Sequence, residues 1–573
     1  MQHGAQIDFI RFAGRQKIGI EFDHIVLNRR RTSRKSDGVD AFGRKKNDSA
    51  LRAGGYDIVK GNFDFAFADV EKFYIIMPVR RNRQEIVGAV RKKCLIIAAF
   101  CGLDKMRGES IKKQEILKEK GQGRKNTMQN TTNDMTRGNS MKLIFQFFLP
   151  ILIGNLFQQL YSFVDSMVVG KGIGDTALAA VGNTSSVHFL IIGFAVGLTG
   201  GLGICISHSF GANDTKKLRK EIAMSVYICL AIGIVITTFS LLLMRRLFIF
   251  LQTPEDMMTD TLVYFGTILA GSTITIFNNF VMTLLRSVGN SKVPLVSMVL
   301  SAIANIVLDL LFVFPLHMGV FGAALATVLA QAISALYCFR HILRAPELLP
   351  QKGDWKADGK ILAALTGKGL PVAVMNSVTA IGGMVLQVFV NQMGTAYVAA
   401  YAACMKVCGL FEQPGVTVGL ALLTFTGQNY GAKKYDRIKS GVWAGVILSI
   451  LVNLPFAALE IFAPKFLASL MLNDPTVISY TCIFLPLTGI ALFPLGWLFV
   501  FRNACQGMGK TVLPMISGVV EVVMRVGIVQ IAVPHFAFRG VAFAEISAWI
   551  GAGAMLMVTY LVYQVRLSKG VSK

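Results

Sequence analysis

An aspartate lies well inside an apolar stretch that is long enough to cross a bilayer. The stretch Leu149–Gly170 reads LPILIGNLFQQLYSFVDSMVVG and contains Asp165. A carboxylate in a spanning helix is costly, so it usually faces a polar interior and marks an ion or proton pathway. The alternative is a carboxylate near the membrane surface, because Gly170 and Lys171 end the apolar run soon afterwards. The segment alone leaves both readings open.

A second acid, Asp309, occurs in the apolar stretch ANIVLDLLFVF. Asn305 precedes it by four residues, so both side chains share one face of a helix. Their oxygens suit a hard cation, and a desolvated carboxyl group could instead hold a proton. The alternative is that both side chains merely hydrogen-bond neighbouring helices. Two acids in separate spans of one half weaken that alternative.

Charged and aromatic residues elsewhere predict an ion pair and a substrate cleft. Glu521 and Arg525 are four residues apart and predict an intrahelical ion pair. Glu412 could attract a cationic substrate, and an interhelical ion pair is the equal alternative. Aromatic rings could stack on organic cations, although most of them pack or face lipid in such a chain. The candidate cleft residues are Gln158, Tyr161, Tyr401 and Glu412.

The sequence contains no motif that predicts an enzyme. GMGKT at 507–511 resembles part of a phosphate-binding loop, but Ala504 occupies the position of the required first Gly. No HExxH occurs, and the nine Cys lack the CxxC or Cys/His spacing that is typical of zinc sites. We therefore expect no catalytic residues and no cofactor.

Charge and hydropathy place the chain in a membrane. Of its 573 residues, 53% are hydrophobic and 16% are charged, whereas soluble domains carry about 25% charged residues. The net charge of +25 could indicate nucleic-acid binding. However, half of the 58 Lys and Arg lie before Met141, and most others lie in alternate short loops. This positive-inside pattern predicts a multi-pass protein of the cytoplasmic (inner) membrane with both termini cytoplasmic and no nucleic-acid partner.

The chain is expected to divide into four parts. Residues 1–140 are basic with weak apolar periodicity, so they form either a largely disordered tail or upstream sequence translated in error. The second alternative is favoured, with a start at Met128, Met135 or Met141. Residues 141–344 and 363–573 each contain six apolar stretches of the length that spans a bilayer. Residues 345–362 form a cytoplasmic linker.

The two six-span halves repeat at a nearly fixed offset. Leu149-Pro150 with Asn155 matches Leu370-Pro371 with Asn376 at an offset of 221. Gly211 matches Gly431, and Gly289 matches Gly509, each at an offset of 220. Such repeats are typical of transporters. Because six is even, both copies enter the membrane in the same direction, and a pseudo-two-fold axis along the membrane normal should relate them.

These landmarks resemble the multidrug and toxic-compound extrusion (MATE) family of cation-coupled antiporters. In the first half the matching motifs are LPILIGNLFQQLYSFVDSMVVG, LAAVGN, HSFGANDTKKLRK and LLRSVGNSKVPLV. In the second half they are TGQNYGAKKYDR and FRNACQGMGKTVLP. The resemblance covers about residues 142–565. It implies an all-α membrane protein with twelve transmembrane helices in two six-helix bundles around a V-shaped cleft. It also implies export of amphipathic, often cationic small molecules, driven by Na⁺ or H⁺.

The resemblance further implies a cation site in the N-terminal half. In the family this site uses an Asp on the first span, an Asn and an Asp one turn apart on the fifth, and a Thr on the sixth. The matching residues are Asp165, Asn305, Asp309 and Thr327. With sodium as the coupling ion, the first three would be its ligands. Another family branch uses acids on the seventh and tenth spans, which contain none here, so coupling is expected in the first half only.

The expected function is therefore that of a monomeric antiporter that works by alternating access. A flippase for a lipid-linked headgroup is the alternative, and it predicts a strongly cationic cleft. A membrane-embedded enzyme would need a clustered nucleophile or metal set, which the sequence does not contain. A channel is disfavoured by the two-lobe repeat.

Overall fold

The computed structural model describes residues 51–53, 56–58, 133–250 and 253–568 of the chain. The chain divides into two units, Met1–Gly121 and Gln122–Lys573. The first contains an antiparallel hairpin of β1 (Leu51–Ala53) and β2 (Tyr56–Ile58). The predicted tail at residues 1–140 otherwise falls largely outside the described residues, so its disorder and origin stay predictions.

Seven helices form the N-terminal lobe of the second unit. They are α1 (Ser140–Gly172), α2 (Asp175–Gly211), α3 (Thr215–Phe250), α4 (Glu255–Ala270), α5 (Ser272–Ser287), α6 (Lys292–Val313) and α7 (Gly319–Ile342). α1 begins after Asn139, whose side chain accepts the Lys142 backbone N–H at 3.1 Å and so caps the helix. α4 and α5 meet at Gly271 with a bend of 46° and together make one span. A Cβ atom at Gly271 would overlap Val328, so glycine permits close packing on α7.

Eight helices form the C-terminal lobe. They are α8 (Gly359–Met393), α9 (Thr395–Phe411), α10 (Gln413–Gly431), α11 (Tyr435–Phe462), α12 (Pro464–Ser469), α13 (Pro475–Gly507), α14 (Val512–Phe536) and α15 (Phe538–Ser568). α9 and α10 break at Glu412 but form one apolar span, and the six-residue α12 is too short to cross a membrane. Counting α4–α5 as one span, the described residues contain the twelve spans that the sequence predicts.

The connection between the lobes is held against α3. It contains a short 3₁₀ turn, Lys352–Trp355, before Asp358 caps α8. Lys220 on α3 forms an ion pair with Asp358 at 2.7 Å, and this hydrogen bond lowers the pKa of the Asp358 carboxyl group. The Tyr227 hydroxyl donates to the Trp355 carbonyl at 3.0 Å. The linker is therefore an ordered segment rather than a free tether.

Backbone geometry repeats at the same offset as the sequence motifs. Left-handed or otherwise positive φ angles occur at equivalent loop positions of the two halves. The pairs are Gly174 and Gly394, Asn213 and Lys433, Gly289 and Gly509, and His317 and Ala537. Two of these pairs contain no glycine, so the connections keep the same path even where the residue types differ. The offset is thus a property of the fold as well as of the motifs.

The lobes meet where equivalent glycines cross. A Cβ atom at Gly211 would overlap the backbone carbonyl of Gln428, and one at Gly431 would overlap that of His208. His208 and Gln428 are themselves equivalent positions of the repeat, so the contact is reciprocal. His208 also donates through Nε2 to the Gly507 carbonyl at 2.7 Å. We call this side of the helix bundle the basic end, since Lys216, Lys217, Lys433 and Lys434 follow directly.

Two equivalent asparagines also join the lobes, farther from the basic end. Asn376 on α8 donates to the Gly193 carbonyl at 3.0 Å. Asn155 on α1 donates to Gln413 at 3.4 Å and to Thr417 at 3.2 Å. Gln413 is the repeat equivalent of Gly193, so each asparagine reaches the equivalent place on the opposite lobe. These contacts lie near the middle of their spans.

Candidate functional site

The four residues expected to form the cation site lie on three packed helices. Asp165 is on α1, Asn305 and Asp309 are on α6, and Thr327 is on α7. α6 packs against both α1 and α7. Asn305 is 1% exposed and Asp309 is fully buried. Their one-turn spacing therefore points both side chains into the lobe rather than towards lipid.

Hydrogen bonds and electrostatic contacts bring these side chains together. The Asn305 amide N–H donates to the Thr327 hydroxyl at 3.4 Å, and that hydroxyl donates to the Ala323 carbonyl at 3.2 Å. The carboxyl groups of Asp165 and Asp309 lie close enough to interact directly. The amide N–H of Asn305 therefore donates to α7, and its carbonyl oxygen has no donor in the described chain.

Several acceptor oxygens in this cluster have no hydrogen-bond donor among the described residues. They are Oδ1 of Asp165, Oδ1 of Asn305, and both carboxylate oxygens of Asp309. Buried polar atoms in folded proteins nearly always have a partner. Neither aspartate forms an ion pair with a Lys, Arg or His of the described chain, so two acids face each other without a protein cation. Carboxylate and amide oxygens fit a hard cation, and a proton would satisfy the same oxygens.

Two tyrosines, one on α1 and one on α4, lie near the acid cluster. Tyr161 and Tyr264 lie within electrostatic range of both aspartates. The exposed Gln158 lies beside Tyr161, which is one turn before Asp165 on the same helix. The structure thus places the predicted cleft residues Gln158 and Tyr161 beside the acid cluster.

The other two predicted cleft residues lie apart from this cluster, in the C-terminal lobe. Tyr401 is 3% exposed and packs edge-on against Phe484 at 5.9 Å between ring centroids. Glu412 is half-buried at the break between α9 and α10. It lies within electrostatic range of Glu545 and Arg525. Tyr401 is therefore a packed core residue, whereas Glu412 belongs to a polar interior.

That polar interior contains a larger network than the predicted Glu521–Arg525 pair. Glu521 and Arg525 approach to 3.8 Å, but each has a nearer partner on another helix. Arg502 on α13 forms an ion pair with Glu521, and Arg525 donates to Glu545 on α15 at 2.9 Å. The sequence signal for Arg502 and Glu545 was simply a charge inside an apolar span. Sequence spacing could not show that three helices bring them together.

The MatE family model matches residues 150–311 and residues 371–530. The chain belongs to the MatE family. Both matched ranges begin at the proline that opens each copy of the repeat, Pro150 and Pro371. The MatE domain therefore occurs twice, which confirms the two-repeat architecture expected from the motifs.

Relatives and solved structures agree with this membership. The MatE chain is 26% identical over 350 residues to the probable multidrug resistance protein YpnP of Bacillus subtilis, covering 61% of this chain and 78% of YpnP. It is 23% identical over 388 residues to the multidrug export protein MepA of Staphylococcus saprophyticus, covering 66% and 85%. A solved outward-facing conformation of a multidrug resistance MATE family transporter shares 25% identity and a TM-score of 0.72, covering 77% of this chain and all of that one.

MatE proteins are multi-pass membrane transporters of small molecules and not enzymes. The family therefore confirms the expected fold and the class of multidrug efflux transporter. Relatives of bacterial type place such a chain in the cell membrane.

Proposed function

We propose that this MatE chain is an antiporter that exports amphipathic, often cationic small molecules against an inward flow of Na⁺ or H⁺. The observation that carries the proposal is the set of unpartnered oxygens on Asp165, Asn305 and Asp309. When bound, the ion would neutralise the two carboxylates. Thr327 positions the Asn305 amide so that its oxygen faces the ion.

Ion binding would change the free energy of one arrangement of α1 relative to α6. Without a cation, the carboxylates of Asp165 and Asp309 repel each other across the contact between these helices. With a cation or proton bound, that repulsion becomes attraction. Pro150 removes one backbone hydrogen bond within α1 and gives the helix a place to bend. A bend there would carry Gln158 and Tyr161, which connect the ion site to the substrate side of the helix.

Alternating access would then proceed by separating the lobes at the basic end. The reciprocal glycine contact holds this end closed, and the asparagine bonds join the lobes near mid-span, which agrees with an outward-facing state. The lysines of the basic end favour a cytoplasmic position for this end and for both termini by the positive-inside rule. The repeat supplies both lobes within one chain, so a monomer suffices.

The flippase alternative is not favoured. It requires a cleft with free positive charge for an anionic headgroup. In the described chain, the arginines inside the C-terminal lobe are already neutralised, Arg502 by Glu521 and Arg525 by Glu545. The N-terminal lobe adds the two acids of the cluster, and its Arg286 lies at the end of α5 near the basic end, where it contacts the Met298 sulfur at 3.6 Å.

The test is ethidium export by purified protein in liposomes, with Na⁺ and proton gradients imposed separately. Wild type should export ethidium on at least one gradient. Asp309→Asn keeps the size of the side chain but removes the charge, so it should bind ethidium and fail to couple. Glu255→Gln, an equivalent change at an exposed helix start, is the control and should export normally.

Two results would contradict the proposal. Normal gradient-driven export by Asp309→Asn would show that the acid cluster is not the coupling site. Failure of wild type to move ethidium on either gradient would count against cation-coupled export of cationic compounds.

A further inference from the structure

A buried glutamate in the C-terminal lobe has no counterpart in the site described above. Glu460 lies two residues before the end of α11 and is fully buried. Its side chain faces α13, where a Cβ atom at Gly489 would lie only 2.9 Å from the Glu460 Cβ. Glycine at this position therefore leaves the room that the glutamate occupies.

The carboxyl group of Glu460 has one partner and one unpartnered oxygen. Oε2 lies 3.1 Å from the Thr488 hydroxyl, and Oε1 has no hydrogen-bond donor among the described residues. No ion pair joins Glu460 to a Lys, Arg or His in the described part of the chain. A buried carboxylate without a cation is costly, and one hydroxyl donor compensates only a small part of that cost.

The hydrogen-bond partners of the Thr488 hydroxyl favour a protonated Glu460. The Thr488 hydroxyl lies 2.9 Å from the Leu485 carbonyl as well as 3.1 Å from Glu460 Oε2. A threonine hydroxyl has one hydrogen, and both of these neighbours are acceptors when Glu460 is ionised. A proton on Oε2 resolves this, because Glu460 then donates to Thr488 while Thr488 donates to Leu485. The Cys408 thiol, 3.6 Å from the same hydroxyl, is a further donor towards it.

The surrounding groups add negative rather than positive charge. Glu412, at the break between α9 and α10, acts electrostatically on Glu460. The thiols of Cys404 and Cys408 on α9 also lie within electrostatic range. A second acid nearby makes simultaneous ionisation of both glutamates costly, which again requires a bound proton.

We infer that Glu460, held by Thr488, is a proton-binding site in the C-terminal lobe that is separate from the N-terminal cation site. Its role in coupling rests on the proposed antiport function. Glu460 lies at the end of α11 remote from the basic end, the side from which an inward-moving proton would enter. If the site takes part in coupling, substrate binding should promote release of the proton from Glu460.

Infrared difference spectroscopy of the purified full-length protein, between acidic and alkaline buffer, tests the site directly. Wild type should show a protonated-carboxyl band with a component that Glu460→Gln removes. Thr488→Val should shift that component without removing it, because the hydrogen-bond partner is lost while the acid remains. Glu255→Gln is the exposed control and should leave the component unchanged. A component identical in wild type, Glu460→Gln and Thr488→Val would overturn the assignment.

Proton release on adding ethidium to weakly buffered protein tests the coupling role. Glu460→Gln should release fewer protons than wild type, and equal release would overturn the role in coupling. Asp309→Asn separates the two proposals. If it exports normally, the N-terminal site fails, but the infrared component assigned to Glu460 is unaffected by that result.

The segment that precedes α1 contacts both lobes. Residues 133–139, which we call the strap, lie against the basic end. Lys434 donates to the Thr136 carbonyl at 2.8 Å, and Arg437 donates to the Gly138 carbonyl at 2.8 Å. The Met135 side chain is 2% exposed and belongs to the core of the C-terminal lobe. The strap is therefore fixed to α11 and its preceding turn.

The strap also contacts the N-terminal lobe. The Asn133 backbone N–H donates to the Val288 carbonyl at 3.2 Å, just after α5. The Gln428 side chain accepts the Met135 backbone N–H at 2.9 Å and donates to the Ser287 carbonyl at 3.0 Å. One buried amide thus joins the strap, α5 and α10. The geometry points to a device that holds the basic end closed and must detach before the lobes separate there.

Distances between spin labels at Thr215 and Lys439, on opposite lobes at the basic end, test the strap. Arg437→Ala with Lys434→Ala should add a population with longer distances. Lys433→Ala removes a neighbouring exposed charge and should leave the distribution unchanged. A chain shortened to begin at Met141 lacks the strap and should show the same longer population. An unchanged distribution in both the double variant and the shortened chain would overturn the proposal.

Discussion

The two lobes share one fold but differ in the partners of two acid groups, the aspartates of α1 and α6 and the glutamates of α14 and α15. In the N-terminal lobe, Asp165 and Asp309 face each other with no protein cation among the described residues. In the C-terminal lobe, Glu521 and Glu545 are paired with arginines. The comparison is direct at one position, because Arg525 is the repeat equivalent of Asn305. One lobe supplies its own cation where the other presents an amide oxygen.

This difference assigns different physical roles to the two interiors. A guanidinium fixed within a network cannot leave, so the Arg502, Glu521, Arg525 and Glu545 network has the same charge throughout a transport cycle. Oxygens without a resident cation respond to whichever ion is available. The stability of the Asp165–Asp309 cluster should therefore depend on the ion. The stability of the C-terminal arginine–glutamate network should not depend on it.

Removing the resident cation should have the largest effect. Arg525→Leu leaves Glu545 buried without a cation, while Glu521 keeps its ion pair with Arg502. Loss of one member of a buried ion pair lowers the free energy of unfolding by about 3–5 kcal/mol. Equilibrium unfolding in mixed detergent micelles would measure the loss. Arg245→Leu, an exposed arginine on α3, is the control and should change stability by less than about 0.5 kcal/mol. A stable Arg525→Leu protein would mean that the network is not needed to neutralise these acids.

Adding the exchangeable ion should have an intermediate effect, confined to the N-terminal lobe. An ion that binds only the folded state stabilises it by about 2.7 kcal/mol at a hundred times its Kd. The unfolding temperature of wild type should therefore be higher with Na⁺ than with choline. If the ion is a proton, the unfolding temperature should instead be higher at lower pH. Asp309→Asn should abolish the difference between Na⁺ and choline, or lessen the pH difference if the ion is a proton, because Glu460 would still bind its own proton. An equal ion response in wild type and Asp309→Asn would remove the basis for distinguishing the lobes.

The smallest effect should come from the paired asparagines between the lobes. Asn376→Ala removes a 3.0 Å bond to a backbone carbonyl, and Asn155→Ala removes two longer bonds to side chains. Each change should cost about 0.5–1.5 kcal/mol, with Asn376→Ala the larger. The same unfolding assay applies. A larger loss of unfolding free energy for Asn155→Ala would show that the side-chain contacts of α1 stabilise the contact between the lobes more than the backbone bond of α8 does.

Features that follow from local sequence were predicted from the sequence. Twelve spans and the two-fold repeat depend on apolar runs and on motif spacing, and both are confirmed. The proximity of Asn305 and Asp309 follows from their one-turn spacing. The inclusion of Asp165 and Thr327 in the same site came from the family resemblance.

Contacts between helices were not predicted, because they depend on how each helix is rotated about its axis. The ion pairs of Arg502 and Glu545 and the contact of Glu460 with Thr488 are of this kind. The break at Glu412 and the bend at Gly271 also gave no distinct signal, since the hydrophobic run continues across each. Tyr401 is buried in the core of the C-terminal lobe, and its place in a substrate cleft stays a prediction.

The reciprocal contact of Gly211 and Gly431 is of the kind found in symmetric dimers. When residue i touches residue j on a partner, and j touches i, two identical subunits satisfy the same interface at once. Both halves enter the membrane in the same direction, so two separate six-helix chains could assemble through this contact. The interface between the halves has the reciprocal form of a homodimer interface, as duplication and fusion of one six-helix chain would produce. Such a fusion would free each half to change its sequence independently, and Asn305 in one half with Arg525 in the other is such a divergence.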